Sequence, residues 1–426
     1  MKQINFYRYP IFIYLFVAAF ISGSSSYLRT VFVFDNVMAG IQIFAFVLLF
    51  YNCVMTYKPS IYLKLLIAFF TVQLIPTVLW SKDMYGYIIT VIQGLGATML
   101  IEEGIRRSPA VLLDALRKVL MVLIVLNLVF MLLLPEGFSG ADTQALYLLG
   151  IRIAFTPFMI TAISCSMLYD LFVYKRMLSF FTIILLAIAL LSLVIKNVST
   201  GLSAVILFLL IVILAYTSKQ KLFTFWKAVI FYAAIFVGIV FFSIQYDIPF
   251  FSYFLVDVLD KDLSFDYRTT IWSAAISTIP QHLFIGHGIT LGGALTVDFT
   301  YQTRIITSHN QVLETLYEGG LLAFGLFLAM IFCIGKKIRI NKAFINQNII
   351  MAAVLSFFVI FLTEVQTSKA LVFIIFALAY HLEEYNIERI ELRNRFRLKT
   401  NLYTGANRYK GRGVRIIKQL EEGYDK

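Results

Sequence analysis

Apolar runs of about twenty residues recur along this chain from Pro10 to Leu382, and they restrict its fold more than any other feature. A helix that long spans the hydrocarbon core of a bilayer, where only a structure that closes its own backbone hydrogen bonds is tolerated. The chain is 60% hydrophobic and only 14% charged, more apolar surface than a soluble fold of 426 residues can hide. The expected class is an all-α polytopic membrane protein with about twelve transmembrane helices and one long external loop. The spans fall at roughly 10–27, 36–56, 61–80, 85–101, 111–134, 150–172, 178–195, 201–217, 224–245, 310–334, 346–363 and 367–382. Asp35-Asn36 interrupts the second, and the fourth is rich in glycine.

Orientation follows from the cations. Lys2, Arg8, Lys58, Arg106, Arg107, Arg117, Lys118, Lys175, Arg176, Lys219, Lys221, Lys227, Lys336, Lys337, Arg339 and Lys342 fall on one side of this arrangement. The other side holds Arg29, Lys82, Arg152, Lys196, Lys261, Arg268, Arg304 and Lys369. The positive-inside rule makes the richer side the cytoplasm, and an even number of spans leaves both termini there. A transmembrane unit over 1–388 is then followed by a basic cytoplasmic tail over 389–426, which supplies much of the net charge of +12. Juxtamembrane basic runs of this kind enforce topology or touch anionic lipid, so nucleic acid is not an expected partner. The first run ends in Ser22-Gly23-Ser24-Ser25-Ser26 and is favoured as an uncleaved signal anchor. Cys53, Cys165 and Cys333 fall inside spans, match no metal or disulfide spacing, and are expected to pack.

Two connections exceed the usual length: Pro135 to Gly150, and Gln245 to Ser308, too polar to be a span. Long loops with aromatic and aliphatic content are commonly functional. Asp266 suits an N-cap, and Ile271, Trp272, Ala275, Ile276 and Ile279 form an apolar stripe that Pro280 ends. Arg268 and Trp272 share one face of this helix. Gly286, Gly288, Gly292 and Gly293 indicate a closely approached turn or simply loop geometry. A further helix opens at Ser308, with Gln311 completing a capping box, which puts His309 in its first turn. A helix N-terminus disfavours a cation and leaves imidazole neutral, the form a general base needs.

Ionisable groups at membrane depth are costly and usually functional. Arg152 lies just inside one span. Lys196 and Asn197 end another ahead of Ser199-Thr200-Gly201, and Glu364 and Lys369 flank the last external turn. With Arg268 and Arg304 from the long loop, these groups share one side. Cations without matching acids indicate an anionic ligand, and a phosphate-bearing lipid suits them. Snorkelling is the better account of Lys82, Lys261 and Lys369, and function of Arg152, Arg268 and Arg304. Glu314 and Glu318, one turn apart, are candidates to orient His309 or hold Arg304, although helix-end polarity explains them equally well. His282, His287 and Asp298 match no strong zinc spacing, and no nucleotide fingerprint is present, so neither metal nor cofactor is expected.

Arg268 with Trp272, then Pro280 through Gly286-His287-Gly288, then His309-Asn310 with Glu318-Gly319-Gly320, resemble in order and spacing the O-antigen ligase and polysaccharide polymerase family. The likeness covers roughly 266–325; elsewhere only hydropathy and span number agree. Arg152 with Pro157 resembles an earlier family element, with Phe158 where the family has Asn, and Ser199-Thr200-Gly201 resembles another. The resemblance implies a fold related to the C-type membrane glycosyltransferases and an inverting, metal-independent transfer from a polyprenyl-diphosphate sugar outside the cytoplasmic membrane. On that basis Arg268, with Arg152 and Arg304, is expected to hold the diphosphate and stabilise its departure, and His309 to deprotonate the acceptor hydroxyl. Trp272 is expected to stack on a sugar or anchor the loop helix, and Lys196, Glu314 and Glu318 to line the substrate site. Polymerisation of undecaprenyl-diphosphate-linked repeat units for an envelope polysaccharide is favoured, with a flippase and a chain-length regulator as candidate partners. Transfer of polymer to a lipid A core and flipping of a lipid-linked oligosaccharide are the alternatives; the latter would place its charges in a central cavity rather than in one external loop.

Overall fold

Each of the twelve predicted segments is occupied by an apolar helix in the computed structural model. It is described for residues 9–56, 58–138, 145–217, 224–238, 240, 268–290, 292–299, 303–338 and 345–384 and is mostly helical, 77%. The helices are α1 Pro10–Ser22, α2 Phe32–Thr56, α3 Ile61–Leu79, α4 Met84–Arg107, α5 Pro109–Leu133, α6 Phe155–Tyr169, α7 Phe180–Ile195, α8 Ser199–Thr217 and α9 Phe225–Val237. The set continues with α10 Arg268–Thr278, α11 Gln311–Lys337, α12 Ile345–Phe361 and α13 Ala370–Tyr380. Among the described residues, six stretches are long and apolar enough to cross a membrane: α2, α3, α4, α5, α11, and α6 with its flanking turns over Arg152–Tyr174. The other predicted segments form shorter apolar helices. The chain is therefore a multi-pass membrane protein.

Local sequence sets the boundaries. The side chains of Ser60, Asp83, Ser179 and Thr224 accept the first free amides of α3, α4, α7 and α9. Proline opens α1 and α5, where its missing N–H is not needed. Three boundaries differ from expectation. Asp35 and Asn36 do not interrupt α2, because they fall at its start, where the helix dipole favours the acidic Asp35 and its amide is met by Val31 O. The first helix stops at Ser22, and Ser24 and Ser25 bond to Ala370 N and Leu148 O instead. Helix α6 starts only at Phe155, because Leu146–Tyr147 and Gly150–Ile151 pair as a tight hairpin and Arg152–Ala154 forms a 3-10 turn.

Burial grades from centre to rim. Nearly every residue of α12 and α13 is buried, as expected of helices that are apolar all round. Helix α12 packs on α8 and α6, α13 on α4, and α11 on α3. By contrast α2 exposes Val37, Phe44, Val47, Phe50 and Val54, and α5 exposes Val122, Leu126, Val129 and Leu132. Continuous exposed apolar faces of that kind suit lipid, not water.

The two ends of the bundle differ. At one, Ser60 bonds Glu102, Arg106 pairs with Glu102 and Glu384, Lys337 pairs with Glu383, and Tyr14 near the start of α1 bonds Asp114 beside Lys118. At the other, Gln93 donates to Gly23 O, Trp80 to Gly286 O, and the Ile289 amide to Thr77 Oγ1. Among the described residues, Arg106, Lys118 and Lys337 of the predicted cytoplasmic side are at the first end. The described part of the long loop, the serines after α1 and the α12–α13 turn gather at the second. Lys2, Arg8, Lys219, Lys221, Lys261, Asp266, Arg339, Lys342 and the basic tail lie outside the described residues.

At the second end the long loop builds a small unit of its own. Helix α10 packs Ile271, Trp272, Ala275 and, just beyond it, Ile279 against Leu295 and Val297 of an antiparallel hairpin, β3 Leu295–Asp298 with β4 Thr303–Ile306, and against Leu313 and Tyr317 of α11.

Candidate functional site

Helix α11 breaks where it meets the loop. Gly320 adopts φ 62° and ψ −162°, a conformation that is essentially glycine-only. The peptide groups freed at the break are recovered by residues 283–288. Leu321 N donates to Leu283 O at 2.8 Å and Leu322 N to Phe284 O at 3.2 Å, while His287 N donates to Tyr317 O at 2.7 Å and Gly288 N to Glu318 O at 2.9 Å. A Cβ on Gly286 would lie 2.5 Å from the backbone at Glu318 and Gly319, and one on Gly320 2.4 Å from that of Phe284. The two glycine-bearing elements singled out in the sequence are thus halves of one contact. A short aromatic stack buttresses it: Trp80 meets His282 at 4.3 Å, His282 meets His287 at 4.6 Å, and His287 lies flat on Tyr317 at 4.6 Å. Burial pushes the His287 imidazole below its ordinary range, opposed by its bond to Thr278 O.

The start of α11 differs from the expected capping box. Asn310 is the N-cap, its side chain accepting from Val312 N and Leu313 N, while Ser308 Oγ turns to Asn310 O. Glu314 accepts the Ser308 amide at 2.6 Å. His309 therefore sits before the helix rather than in its first turn, held at φ 49°. Left-handed backbone at a residue other than glycine costs about 1–2 kcal/mol. Asn310 Nδ2 also bonds Leu362 O, and Gln311 Oε1 accepts the amides of Gln366 and Thr367. These bonds fix the α12–α13 turn against the start of α11.

That turn presents Glu364, and Glu364 joins the two residues on which the sequence reading placed most weight. Arg268 Nη2 donates to Glu364 Oε1 at 3.2 Å, and His309 Nδ1 lies 3.8 Å from Oε2. The second distance is an electrostatic contact rather than a hydrogen bond. The His309 side chain remains 33% exposed, Arg268 15% and Glu364 12%, so the imidazole is the most accessible of the three. Glu364 was legible only as an acid flanking the last external turn. Its role as a bridge depends on contacts between residues 96 apart, which local pattern does not carry.

Behind Glu364 lies a cavity of about 290 Å³ lined by Gln73 of α3, Thr90 of α4, Thr290, Glu314, Glu318 and Lys369, among others. Gln73 Nε2 donates to Glu318 Oε2 at 3.2 Å. Glu314 and Glu318 therefore face this space or brace Ser308, and neither holds Arg304.

The other expected site residues are not drawn into this group. Arg152 stands exposed on its 3-10 turn, outside the helix that was expected to contain it. Lys196 bonds Pro135 O at 2.9 Å and lies over the Tyr147 ring. Arg304 is exposed on β4 opposite Val297. Trp272 is fully buried, so it has no free face for a sugar or for the membrane interface; it pins α10 to the hairpin and to α11.

Residues 183–328 match the family model described as O-antigen ligase. No curated protein and no solved structure gives a match. The matched segment contains Arg268, Trp272, Gly286, Gly288, His309 and Gly320, and stops short of Glu364.

Proposed function

We propose, from the match of residues 183–328 to the family model described as O-antigen ligase, that this chain is a polysaccharide polymerase. It joins polyprenyl-diphosphate-linked repeat units at the external face of the cytoplasmic membrane. The supporting observation is the convergence of Arg268 and His309, 41 residues apart in the chain, on the single carboxylate of Glu364. They meet at the bundle end opposite the concentration of loop cations, which the positive-inside rule assigns to the outside.

The diphosphate of the donor sits against Arg268, whose planar fork suits phosphate oxygens. With Nδ1 of His309 facing Glu364, Nε2 is the nitrogen that takes the proton from the acceptor hydroxyl. The hydroxyl oxygen bonds to the anomeric carbon as the bond from that carbon to the diphosphate oxygen breaks. The electron pair leaves with the diphosphate, and Arg268 stabilises the charge that develops there. Attack opposite the leaving group inverts the anomeric centre. Arg152, Arg304 and Lys196 are left as outer contacts for the lipid-linked glycan rather than members of the reacting group.

A second reading has one observation in its favour, the ligase description of the matching family: transfer of finished polymer to a lipid A core. Deletion separates the two. Loss of a polymerase leaves single lipid-linked units on the outer leaflet, and loss of a ligase leaves long polymer on the carrier. Purified full-length protein supplied with lipid-linked repeat units is expected to build a ladder, and Arg268→Ala or His309→Ala to abolish it at unchanged protein level. Normal ladders from both variants would refute the assignment.

A further inference from the structure

The three groups of the candidate site come from two differently packed parts of the bundle. Arg268 and His309 belong to α10 and the approach to α11, which pack on each other, and α11 lies mainly on α3. Glu364 follows α12, and its amide is tied to Ile360 O at 2.8 Å. Helix α12 packs on α8 and α6, and α13 on α4. The register of the carboxylate against the imidazole is set where these parts meet, between the start of α11 and the α12–α13 turn. Gln311 makes most of that junction, and its side chain is fully buried. Oε1 accepts the Gln366 amide at 2.7 Å and the Thr367 amide at 3.1 Å. Nε2 donates to Thr367 Oγ1 at 3.0 Å and to Thr315 Oγ1 at 3.1 Å. Backbone amides only donate, so they fix which end of the side chain is oxygen. Two lone pairs and two hydrogens are the whole capacity of a primary amide, and all are used. Any slip of the turn would strand a buried donor or acceptor, which holds such a network to one arrangement. Asn310 grips the same turn on the other side of Glu364, with Nδ2 donating to Leu362 O at 3.1 Å, but its oxygen is committed to capping α11. Having no exposed surface, Gln311 touches no substrate; its influence on the site passes through the turn that carries Glu364.

We propose that Gln311 is a positioning residue for glycosyl transfer: it holds the α12–α13 turn in the register that sets the Glu364 carboxylate between Arg268 and His309. The proposal rests on the glycosyl-transfer reading above and adds a residue to it. The serine three residues earlier made Gln311 look like half of a capping box; its amide instead faces a turn 55 residues along the chain.

The test measures initial rates with full-length protein in native membrane vesicles, supplied with lipid-linked repeat units extracted from cells lacking this protein. Gln311→Met keeps the length of the side chain and removes all of its hydrogen bonds. Its kcat is expected to fall about 10- to 100-fold, because a misplacement of about 1 Å at a reacting group costs on the order of 100-fold, while KM for the lipid-linked unit stays within about twofold of wild type. The same substitution in a Glu364→Gln background separates positioning from plain structural support. There the charge that Gln311 positions is already gone, so the further loss is expected to shrink to about twofold or less. Structural support alone would lower the rate by the same factor in both backgrounds. Thr367→Val removes only the bond from Nε2 to Oγ1 and takes over if Gln311→Met does not accumulate; its loss of kcat, about threefold, is expected to show the same dependence on Glu364. A wild-type kcat in Gln311→Met, a rise in KM alone, or an equal loss in both backgrounds would each overturn the positioning role. A wild-type protein that releases no polyprenyl diphosphate from the donor would instead overturn the glycosyl-transfer reading itself.

Discussion

Replacing Gly320 by alanine tests the link between the broken helix and the group formed by Arg268, Glu364 and His309. At φ 62° and ψ −162° the backbone occupies a region nearly closed to residues with a Cβ, at a cost of about 1–3 kcal/mol. The new methyl would stand 2.4 Å from the carbonyl carbon and oxygen of Phe284. Backbone cannot rotate away as a side chain can, so overpacking adds about 1–3 kcal/mol. The sum, roughly 2–6 kcal/mol, is relieved only by pulling residues 283–288 off α11. That gives up the bonds from His287, Gly288, Leu321 and Leu322. Gly325→Ala on the same helix is the control: no atom lies within 4 Å of its Cβ position, and alanine should be neutral or stabilise by up to about 1 kcal/mol. Thermal unfolding in detergent should therefore show a clear drop for Gly320→Ala and none for Gly325→Ala, with polymer ladders lost only in the former. Equal melting of both variants and the wild type would refute the claim that the break is held by this contact.

Glu364→Gln keeps the shape of the bridge but removes its charge; transfer measured on lipid-linked units should fall about 10- to 100-fold, the loss of one charge-assisted contact to each partner, and an unchanged rate would remove Glu364 from the mechanism. Burial holds the folded imidazole of His287 below its unfolded value near 6.5. Its contribution to stability is therefore complete above that pH and lost as pH falls below it toward the folded value. Wild type should lose more stability than His287→Phe between pH 7 and pH 5, and parallel curves would count against this. Trp272→Phe should retain most transfer activity, whereas Trp272→Ala should lose about 3–5 kcal/mol of stability; loss of activity in Trp272→Phe at full stability would restore a direct role in sugar binding. Asn310→Ala removes the cap of α11 and should cost about 1 kcal/mol, read as a lowered melting temperature.

The hydrophobic code made the membrane helices legible, because a bilayer admits so few backbone solutions that twenty apolar residues nearly name their own structure. Their ends were less so. Asp35 and Asn36 are tolerated in α2 because they fall at its N-terminal end, where the helix dipole favours an acid, and Ser24 and Ser25 leave the α1 register for partners more than 100 residues away. Within the candidate site, Arg268 and His309 are singled out by residue type and by the resemblance of their order and spacing to the ligase and polymerase family, and the structure brings both to Glu364. Trp272 was misjudged because an aromatic beside an arginine on a helix face does not disclose whether that face meets a ligand or a hairpin. Glu364 was passed over as a pairing residue because its partners come from two distant segments. The capping box failed for a local reason: Ser308 and Asn310 both suit an N-cap, and Glu314, by accepting the Ser308 amide, helps hold Ser308 outside the helix.

The interlock at Gly320 also limits where this protein can open. Residues 283–288 stand in for a missing piece of α11, and lifting them would strand the amides and carbonyls of a buried break, at a cost of about 1–3 kcal/mol each. Any opening at this end of the bundle must hinge elsewhere, with this segment as its fixed doorpost.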